Sequence, residues 1–262
     1  SYPFTVTATG GGLTRTADGT LQVTSPPPPP PPPPGLTFST FGNANPPGAG
    51  GTADDADLYY WDGSSYTRTF DASAATLPSS ANVDGFDRVD ATRFYVSFST
   101  DVTIPGLGTV QDEDVLSFSA GTWSVYFDGT AAGLTASGQD VDAISVDGGT
   151  LYFSTVGSVN PPRVTGTADD ADIYSWDGTA FARVWDASVA KLPSSANVDG
   201  FVRVEATHFY LSFSTDLTIP GLGAVQDEDV VLSSAGTWSV YFDGTAHGLT
   251  SSSLDIDAFD VG

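Results

Sequence analysis

The side chains best placed to do chemistry are acidic, and they come in clusters. Asp54-Asp55-Ala56-Asp57, Asp112-Glu113-Asp114, Asp169-Asp170-Ala171-Asp172 and Asp227-Glu228-Asp229 each set two or three carboxylates just ahead of an apolar run. Hard cations such as Ca²⁺ need several carboxylate and carbonyl oxygens on a flexible loop. Asp55, Asp57, Asp112, Asp114, Asp170, Asp172, Asp227 and Asp229 are therefore candidate Ca²⁺ ligands. The clusters lack the glycine and the distal glutamate of an EF-hand loop, and carboxylates that merely cap strand starts would look the same. A second set is Asp84, Asp142, Asp199 and Asp257, each followed by Gly or Ala. Related by symmetry, these four would ring a central channel. Alternatively, they fix strand starts by local hydrogen bonds, and the small residue answers crowding.

Other chemistries find little support. Cys is absent, which excludes thiol catalysis, disulfides and Cys-ligated metal. His208 and His247 are the only histidines; Arg93 and Ala132 stand at the matching places of the repeat described below. No Gly-x-Ser-x-Gly elbow and no phosphate loop occurs. Paired carboxylates for glycoside hydrolysis could be drawn from so many aspartates. Yet every acidic cluster repeats, as structural parts do and catalytic groups need not. The expectation is no enzyme and no catalytic residue. Trp61, Trp123, Trp176, Trp185 and Trp238 could form a platform for surface glycans, or pack sheets together.

Composition narrows the setting. The chain has 262 residues, 40% hydrophobic and 12% aromatic, enough for a sizeable core. Its net charge is -24, with Lys191 the only lysine, so its surface repels nucleic acid and anionic membrane. No apolar run reaches the roughly 18 residues of a membrane-spanning helix. Lack of Cys and Met suits an oxidising exterior. The chain begins at Ser1 rather than Met, as removal of a signal peptide would leave it. The expected location is extracellular, at the cell surface.

Long repeats supply the frame. Gly51 to Asp57 recurs as Gly166 to Asp172, Leu77 to Phe86 as Leu192 to Phe201, and Thr103 to Gly108 as Thr218 to Gly223, each pair 115 residues apart. A shorter beat lies inside: Asp57, Asp114, Asp172 and Asp229 are spaced 57, 58 and 57 residues apart. Each is followed by an aromatic-Asp-small-hydroxyl motif at Phe70, Phe127, Trp185 and Phe242, and then by Leu77, Leu134, Leu192 and Leu249. Residues 36–262 thus hold four copies of one unit, roughly 36–92, 93–150, 151–207 and 208–262.

Each copy reads as four short strands. In the third, 141–146 alternates apolar and polar, Gly148-Gly149 marks a hairpin turn, and 151–155, 172–176 and 181–185 follow, with Asp177-Gly178 as a second turn. Four such meanders predict an all-β, four-bladed β-propeller; two tandem β-sandwich-like domains are the alternative. The chain's ends favour the propeller. Asp255-Ile-Asp-Ala-Phe-Asp-Val261 matches Asp140 to Val146, whereas the first copy lacks such a strand and starts at Leu36. The last strand can supply the one the first blade lacks, closing the ring and removing two edges.

The order of Val141-Asp-Ala-Ile, Leu151-Tyr-Phe-Ser-Thr and Asp170-Ala-Asp-Ile-Tyr-Ser-Trp176 resembles the hemopexin-like four-bladed propeller, in which an Asp-Ala pair starts each inner strand. That resemblance implies an ion near the axis, beside Gly85, Ala143, Gly200 and Ala258. The stretch from Thr103 to Val146 is similar to repeats of secreted bacterial surface proteins with no assigned activity. This implies an extracellular protein and no known chemistry.

Residues 1–25 form a separate N-terminal β segment. Tyr2 to Thr9 alternates, Gly10 to Gly12 and Asp18-Gly19 read as turns, and up to three small strands result. Pro26 to Pro34 is an unbroken run of nine prolines, a polyproline II linker within 26–35 that spans roughly 28 Å. So small a meander is marginal alone. A stiff rod favours reaching another molecule, where strand addition to a sheet edge would give main-chain hydrogen bonds. Tyr2, Phe4, Val6, Leu13, Leu21 and Val23 are the candidate intersubunit residues. The expected function is a structural subunit of an extracellular bacterial filament, its partner another copy of itself, head to tail. The alternative is a secreted adhesin or carbohydrate-binding propeller that depends on Ca²⁺.

Overall fold

A computed structural model describes residues 2–21 and 35–262, which form two compact units. The proline run 26–34 and Val23 lie outside the described residues. The N-terminal unit is one antiparallel pair, β1 (Tyr2–Gly10) and β2 (Leu13–Leu21), in register from Tyr2↔Leu21 to Gly10↔Leu13. Its turn is Gly11-Gly12, both with positive φ as a two-residue hairpin loop of this hand requires. The expected turn at Asp18-Gly19 is instead inside β2. Nine consecutive pairs from one tight turn keep the strand running. Gly19 faces Phe4, whose ring lies 2.6 Å from where a Cβ would sit. The glycine makes room for a cross-strand ring rather than a bend.

The second unit is the four-bladed propeller, and the described residues are 49% strand and 3% helical. Blade 1 holds β3 (Leu36–Thr40), β4 (Leu58–Trp61) and β5 (Tyr66–Phe70). Blade 2 holds β6 (Val83–Asp90), β7 (Arg93–Phe98), β10 (Val115–Ser119) and β11 (Thr122–Phe127). A small hairpin of β8 (Val102–Ile104) and β9 (Gly108–Val110) leaves it between β7 and β10. Blade 3 is β12 (Val141–Asp147), β13 (Thr150–Thr155), β14 (Ile173–Trp176) and β15 (Phe181–Trp185). Blade 4 is β16 (Val198–Glu205), β17 (His208–Phe213), β20 (Val230–Ser234) and β21 (Thr237–Phe242), with the hairpin β18 (Leu217–Ile219) and β19 (Gly223–Val225). The final strand, β22 (Ile256–Val261), pairs antiparallel with β3, giving blade 1 the order β22-β3-β4-β5. This pairing joins the two ends of the unit in one sheet and excludes two independent sandwiches.

The core lies between blades. Leu58 and Ala72 of blade 1 pack with Phe86, Phe94 and Val96 of blade 2. Val115 and Phe127 of blade 2 meet Ile144, Phe153 and Tyr174 of blade 3. Ile173 and Ala187 of blade 3 meet Phe201, Phe209 and Leu211 of blade 4, and Val230 and Phe242 of blade 4 meet Phe38, Tyr59 and Trp61 of blade 1. The tryptophans join these layers: Trp61 is buried, and Trp123, Trp176, Trp185 and Trp238 pack partly buried against them. Edge-to-face ring pairs such as Phe70 with Phe94, centroids 5.2 Å apart, add specific contacts to the burial.

The inner strands β22, β6, β12 and β16 contact one another around the axis. Here backbones crowd. A Cβ on Gly200 would stand 2.5 Å from the Phe259 ring of the neighbouring inner strand. At Gly85 it would fall against Ser97 Oγ and 3.1 Å from Ile144. Gly200→Ala is expected to lower the unfolding free energy by about 1–3 kcal/mol through overpacking. Urea unfolding of the variant against the parent measures it.

Candidate functional site

The four aspartates on the 57-residue beat hold the blades' loops. Each accepts two main-chain N–H bonds, one from three residues before it and one from fifteen residues after it. Asp57 takes Asp54 N–H at 3.2 Å and Ala72 N–H at 2.9 Å, and Asp172 takes Asp169 N–H at 3.1 Å and Ala187 N–H at 2.9 Å. Asp114 takes Gln111 N–H at 3.0 Å and Gly129 N–H at 2.9 Å, and Asp229 takes Gln226 N–H and Gly244 N–H, both at 3.0 Å. One carboxylate thus ties the turn before the third strand of its blade to the turn after the fourth. In blades 1 and 3 an arginine completes it: Arg68 Nη1 donates to Asp57 at 2.8 Å, and Arg183 Nη1 to Asp172 at 2.7 Å. In blades 2 and 4 a short helical turn, Gly129–Ala132 or Thr245–His247, follows instead.

The aromatic-Asp motif has its own role. Asp71, Asp128, Asp186 and Asp243 each accept the N–H of the third residue on, from Ala74, Ala131, Val189 and Ala246, at 2.8–2.9 Å. They cap the turn that the blade aspartate anchors. Asp57, Asp114, Asp172 and Asp229 are thus committed to main chain, and in two blades to a guanidinium. Three acidic sets have oxygens all within 4.8 Å of one another: Asp112, Glu113 and Asp140; Asp227, Glu228 and Asp255; Asp169, Asp172 and Asp186. The last already surrounds Arg183, which bonds Asp172 and lies 3.5 Å from Asp186.

Asp84, Asp142, Asp199 and Asp257 do converge on the axis. Each is the second residue of an inner strand, and each falls in a β-bulge. The register jumps from Val83 to Gly85, from Val141 to Ile144, from Val198 to Gly200 and from Ile256 to Ala258. A bulge adds a residue with no ladder partner and re-aims its side chain. All four are at most 8% exposed. A ring of serines stands opposite. Ser97 and Ser212 donate to Asp84 at 2.8 Å and Asp199 at 2.6 Å, while Ser39 and Ser154 donate to the carbonyls of Val83 and Val198 in the next blade. Asp142 and Asp257 therefore receive no serine.

Burial, and then the neighbouring carboxylates, push Asp84, Asp142 and Asp199 well above the usual carboxylate range. Asp257 is pushed to about 7, chiefly by burial. Half-buried acids surround this acidic mouth: Asp55 acts on Asp257, Asp140 and Asp170 on Asp142, and Asp112 and Asp227 lie beside Asp140 and Asp255. Asp55, Asp112, Asp170 and Asp227 are thus brought to the mouth, apart from their blade-anchoring neighbours.

The other mouth is mixed in charge. A 570 Å³ cavity there is lined by the ends of the four inner strands, with Asp87, Arg88, Asp147, Arg203 and Asp260. Arg203 donates to Asp147 at 2.6 Å and lies 4.6 Å above the Tyr152 ring. Between blades 1 and 2 a 680 Å³ cleft is lined by Phe70, Phe86, Phe94 and Phe118 beside Thr37. The corresponding space between blades 3 and 4, with Tyr152 where the first has Thr37, is divided into cavities of 280 Å³ and 470 Å³. The histidines are packing groups: His247 stacks on Phe242, centroids 5.0 Å apart, and His208 faces Ser234.

No family of known proteins and no curated protein matches the chain. Among solved structures it is similar to the extracellular domain of BT4673 from B. thetaiotaomicron, described once as a one-component and once as a hybrid two-component system. The identities are 13% and 12% and the TM-scores 0.29 and 0.30, over 68% and 74% of this chain. The chain spans only 23% and 25% of those structures. YCF48 bound to D1 peptide is similar at 8% identity and TM-score 0.27, over 71% of this chain and 62% of that one. Among the described residues no helix is long and apolar enough to cross a membrane.

Two outcomes are expected. Removing Asp172 frees two N–H groups and leaves Arg183 with Asp186 and the carbonyls of Thr165 and Thr167, so Asp172→Ala should cost about 2–4 kcal/mol. Asp114→Ala, which frees only two N–H groups, should cost about 1–3 kcal/mol. Chemical denaturation of the two variants orders them. At the mixed mouth burial raises Asp87 to about 6 and Asp260 to about 7. A carboxyl with a raised folded pKa favours folding below its unfolded value and loses that contribution as pH rises to the folded one. Asp87→Asn and Asp260→Asn should therefore each stabilise the chain at pH 7.5, by on the order of 1–3 kcal/mol, and have little effect at pH 4. Melting curves at the two pH values check this.

Proposed function

We propose that this chain is a non-enzymatic structural subunit of an extracellular bacterial filament or surface appendage, joined head to tail through its N-terminal strands. The observation that carries this reading is the hairpin β1–β2. It is a sheet of two strands, with Phe4 51%, Val6 58% and Leu13 64% exposed. A lone hairpin is marginal in water, and both its edges offer unpaired main-chain groups. A second sheet would cover the apolar side chains and extend the ladder. The propeller, closed by β22, has no blade left for the hairpin to complete. Tyr2 and Leu21 form the last pair of this ladder.

The lack of Cys and Met and the net charge of -24 suit a soluble surface outside the cell. Fourfold acidic clusters spent on loop anchoring fit a scaffold better than a catalyst. A second reading, a glycan-binding adhesin, draws on the aromatic cleft between blades 1 and 2. The cleft there is continuous, whereas the related space, with Tyr152 in place of Thr37, is divided in two.

Negative-stain imaging of the full chain against a chain lacking residues 1–35 tests the proposal. The full chain should form filaments, and the truncated one should remain a folded monomer. Fibres from the truncated chain, or a monodisperse full-length monomer at high concentration, would sink the linking role.

A further inference from the structure

We propose that the aromatic cleft between blades 1 and 2 receives the apolar face of hairpin β1–β2 from the next copy of the chain. This rests on the head-to-tail reading above and names the surface that takes the arm. The first ground is the hairpin's two faces. Directly opposed residues of an antiparallel pair point to one side, and successive residues alternate. Phe4↔Gly19, Val6↔Ala17, Ala8↔Arg15 and Gly10↔Leu13 therefore share one face, and Thr5↔Asp18, Thr7↔Thr16 and Thr9↔Thr14 share the other. The threonine face bonds within itself: Thr5 donates to Asp18 at 2.6 Å, and the Thr9 and Thr14 hydroxyls meet at 3.4 Å. The apolar face stays open, with Phe4, Val6 and Leu13 each more than half exposed. A flat ribbon with one apolar side needs an apolar surface to lie on.

The second ground is a break in the repeat. Between blades 3 and 4 the space is cut in two, and Trp185, Ala206 and Phe209 line both parts. Between blades 1 and 2 the matching residues are Phe70, Ala91 and Phe94, so the wall differs by one smaller ring, and there the cleft runs unbroken. Two further exchanges reshape it. Thr37 pairs with Tyr60 where blade 3 pairs Tyr152 with Ser175, and Phe118 stands where blade 4 has Ser233. Of these two related interfaces, only one keeps a continuous aromatic cleft, and the chain has one hairpin. At 680 Å³ the cleft falls within the roughly 300–1,000 Å³ of binding pockets, room for the Phe4 ring and a neighbour. The third ground is charge. Arg15 and Asp18 are the only charged side chains of residues 1–35, so the net charge of -24 falls wholly on residues 36–262. Two propellers repel each other, whereas the neutral arm approaches freely. Arg15, the one charge on its apolar face, then meets a surface of opposite sign.

The test uses full-length chains. F4T/V6T strips the apolar face but keeps strand-forming residues. T37Y/Y60S/F70W fills the cleft with the residues that blade 3 carries at the same places. Each variant alone should need at least about tenfold more protein than the parent to assemble, as loss of a buried aromatic anchor or of its pocket requires. Mixed in equal amounts, the two should form a heterodimer that grows no further, read by light scattering. Only the cleft of the first and the hairpin of the second remain to meet. If the blocked chain does not fold, single cysteines in this Cys-free chain take its place. V6C mixed with T92C, at the cleft, should join through a bismaleimide; V6C mixed with T207C, the matching position on blade 4, should join far less. Assembly of the blocked chain at the parent's concentration, a mixture that stays monomeric, or equal linkage to T207C would overturn the cleft as receiver and leave the filament reading standing. A parent that never assembles removes that reading and this inference together.

Discussion

Four strands meeting at one axis impose the constraint on which the rest of this propeller depends. Where β6, β12, β16 and β22 begin, there is room for glycine or alanine and for little else. Gly85, Ala143, Gly200 and Ala258 occupy those places, and all are buried. A small residue leaves the strand start poorly held by packing, and a bulge interrupts its ladder as well. Polar contacts take over: Ser39 and Ser154 reach the carbonyl of the next blade, while Ser97 and Ser212 hold the aspartate of their own. The ring is thus tied across blades by main chain at the axis and by apolar cores farther out. The closing strand shares in both, since Phe259 and Ile256 lie in the core between blades 4 and 1.

The same unit is solved in two ways. Every blade anchors its outer turns on one buried aspartate that accepts two N–H groups fifteen residues and three residues away. Blades 1 and 3 add an arginine and its second carboxylate, Asp71 or Asp186. Blades 2 and 4 have a glycine in place of the alanine, and the added Cβ would strike the carbonyl of Glu113 or Glu228. There the chain runs on as a short helical turn, where blades 1 and 3 carry a hydrogen-bonded turn from Ala75 N–H to Asp71 O and from Ala190 N–H to Asp186 O. The 57-residue beat therefore records what every blade must do, and the 115-residue period records which solution it uses.

Most of this fold was legible because its signals are periodic. The spacing of Asp57, Asp114, Asp172 and Asp229 counts the blades, and Gly148-Gly149 and the shared sequence of β12 and β22 set hairpin and closure. What stayed hidden was role. A carboxylate before a strand reads alike whether two N–H groups hold it, as at Asp57, or nothing in the protein does, as at Asp55 Oδ1. Only the partner fifteen residues on separates them, and that partner is a backbone group without identity in the sequence. Asp18-Gly19 misled for a related reason. Asp-Gly signals a turn when a loop is needed, but Gly11-Gly12 had already supplied it, and Phe4 needed the space. The hairpins β8–β9 and β18–β19 fall on a repeat, Thr103 to Gly108 and Thr218 to Gly223. At three residues a strand, they are too short for alternation to show.

The two mouths of the ring differ in kind, and that difference has a structural consequence. One is lined by acids with no basic partner; the other sets Arg88 and Arg203 among Asp87, Asp147 and Asp260. A ring with like faces would meet its copies face to face and close as a pair. Unlike faces give the unit a direction, and a directed unit repeats without closing when each copy offers one surface and receives another.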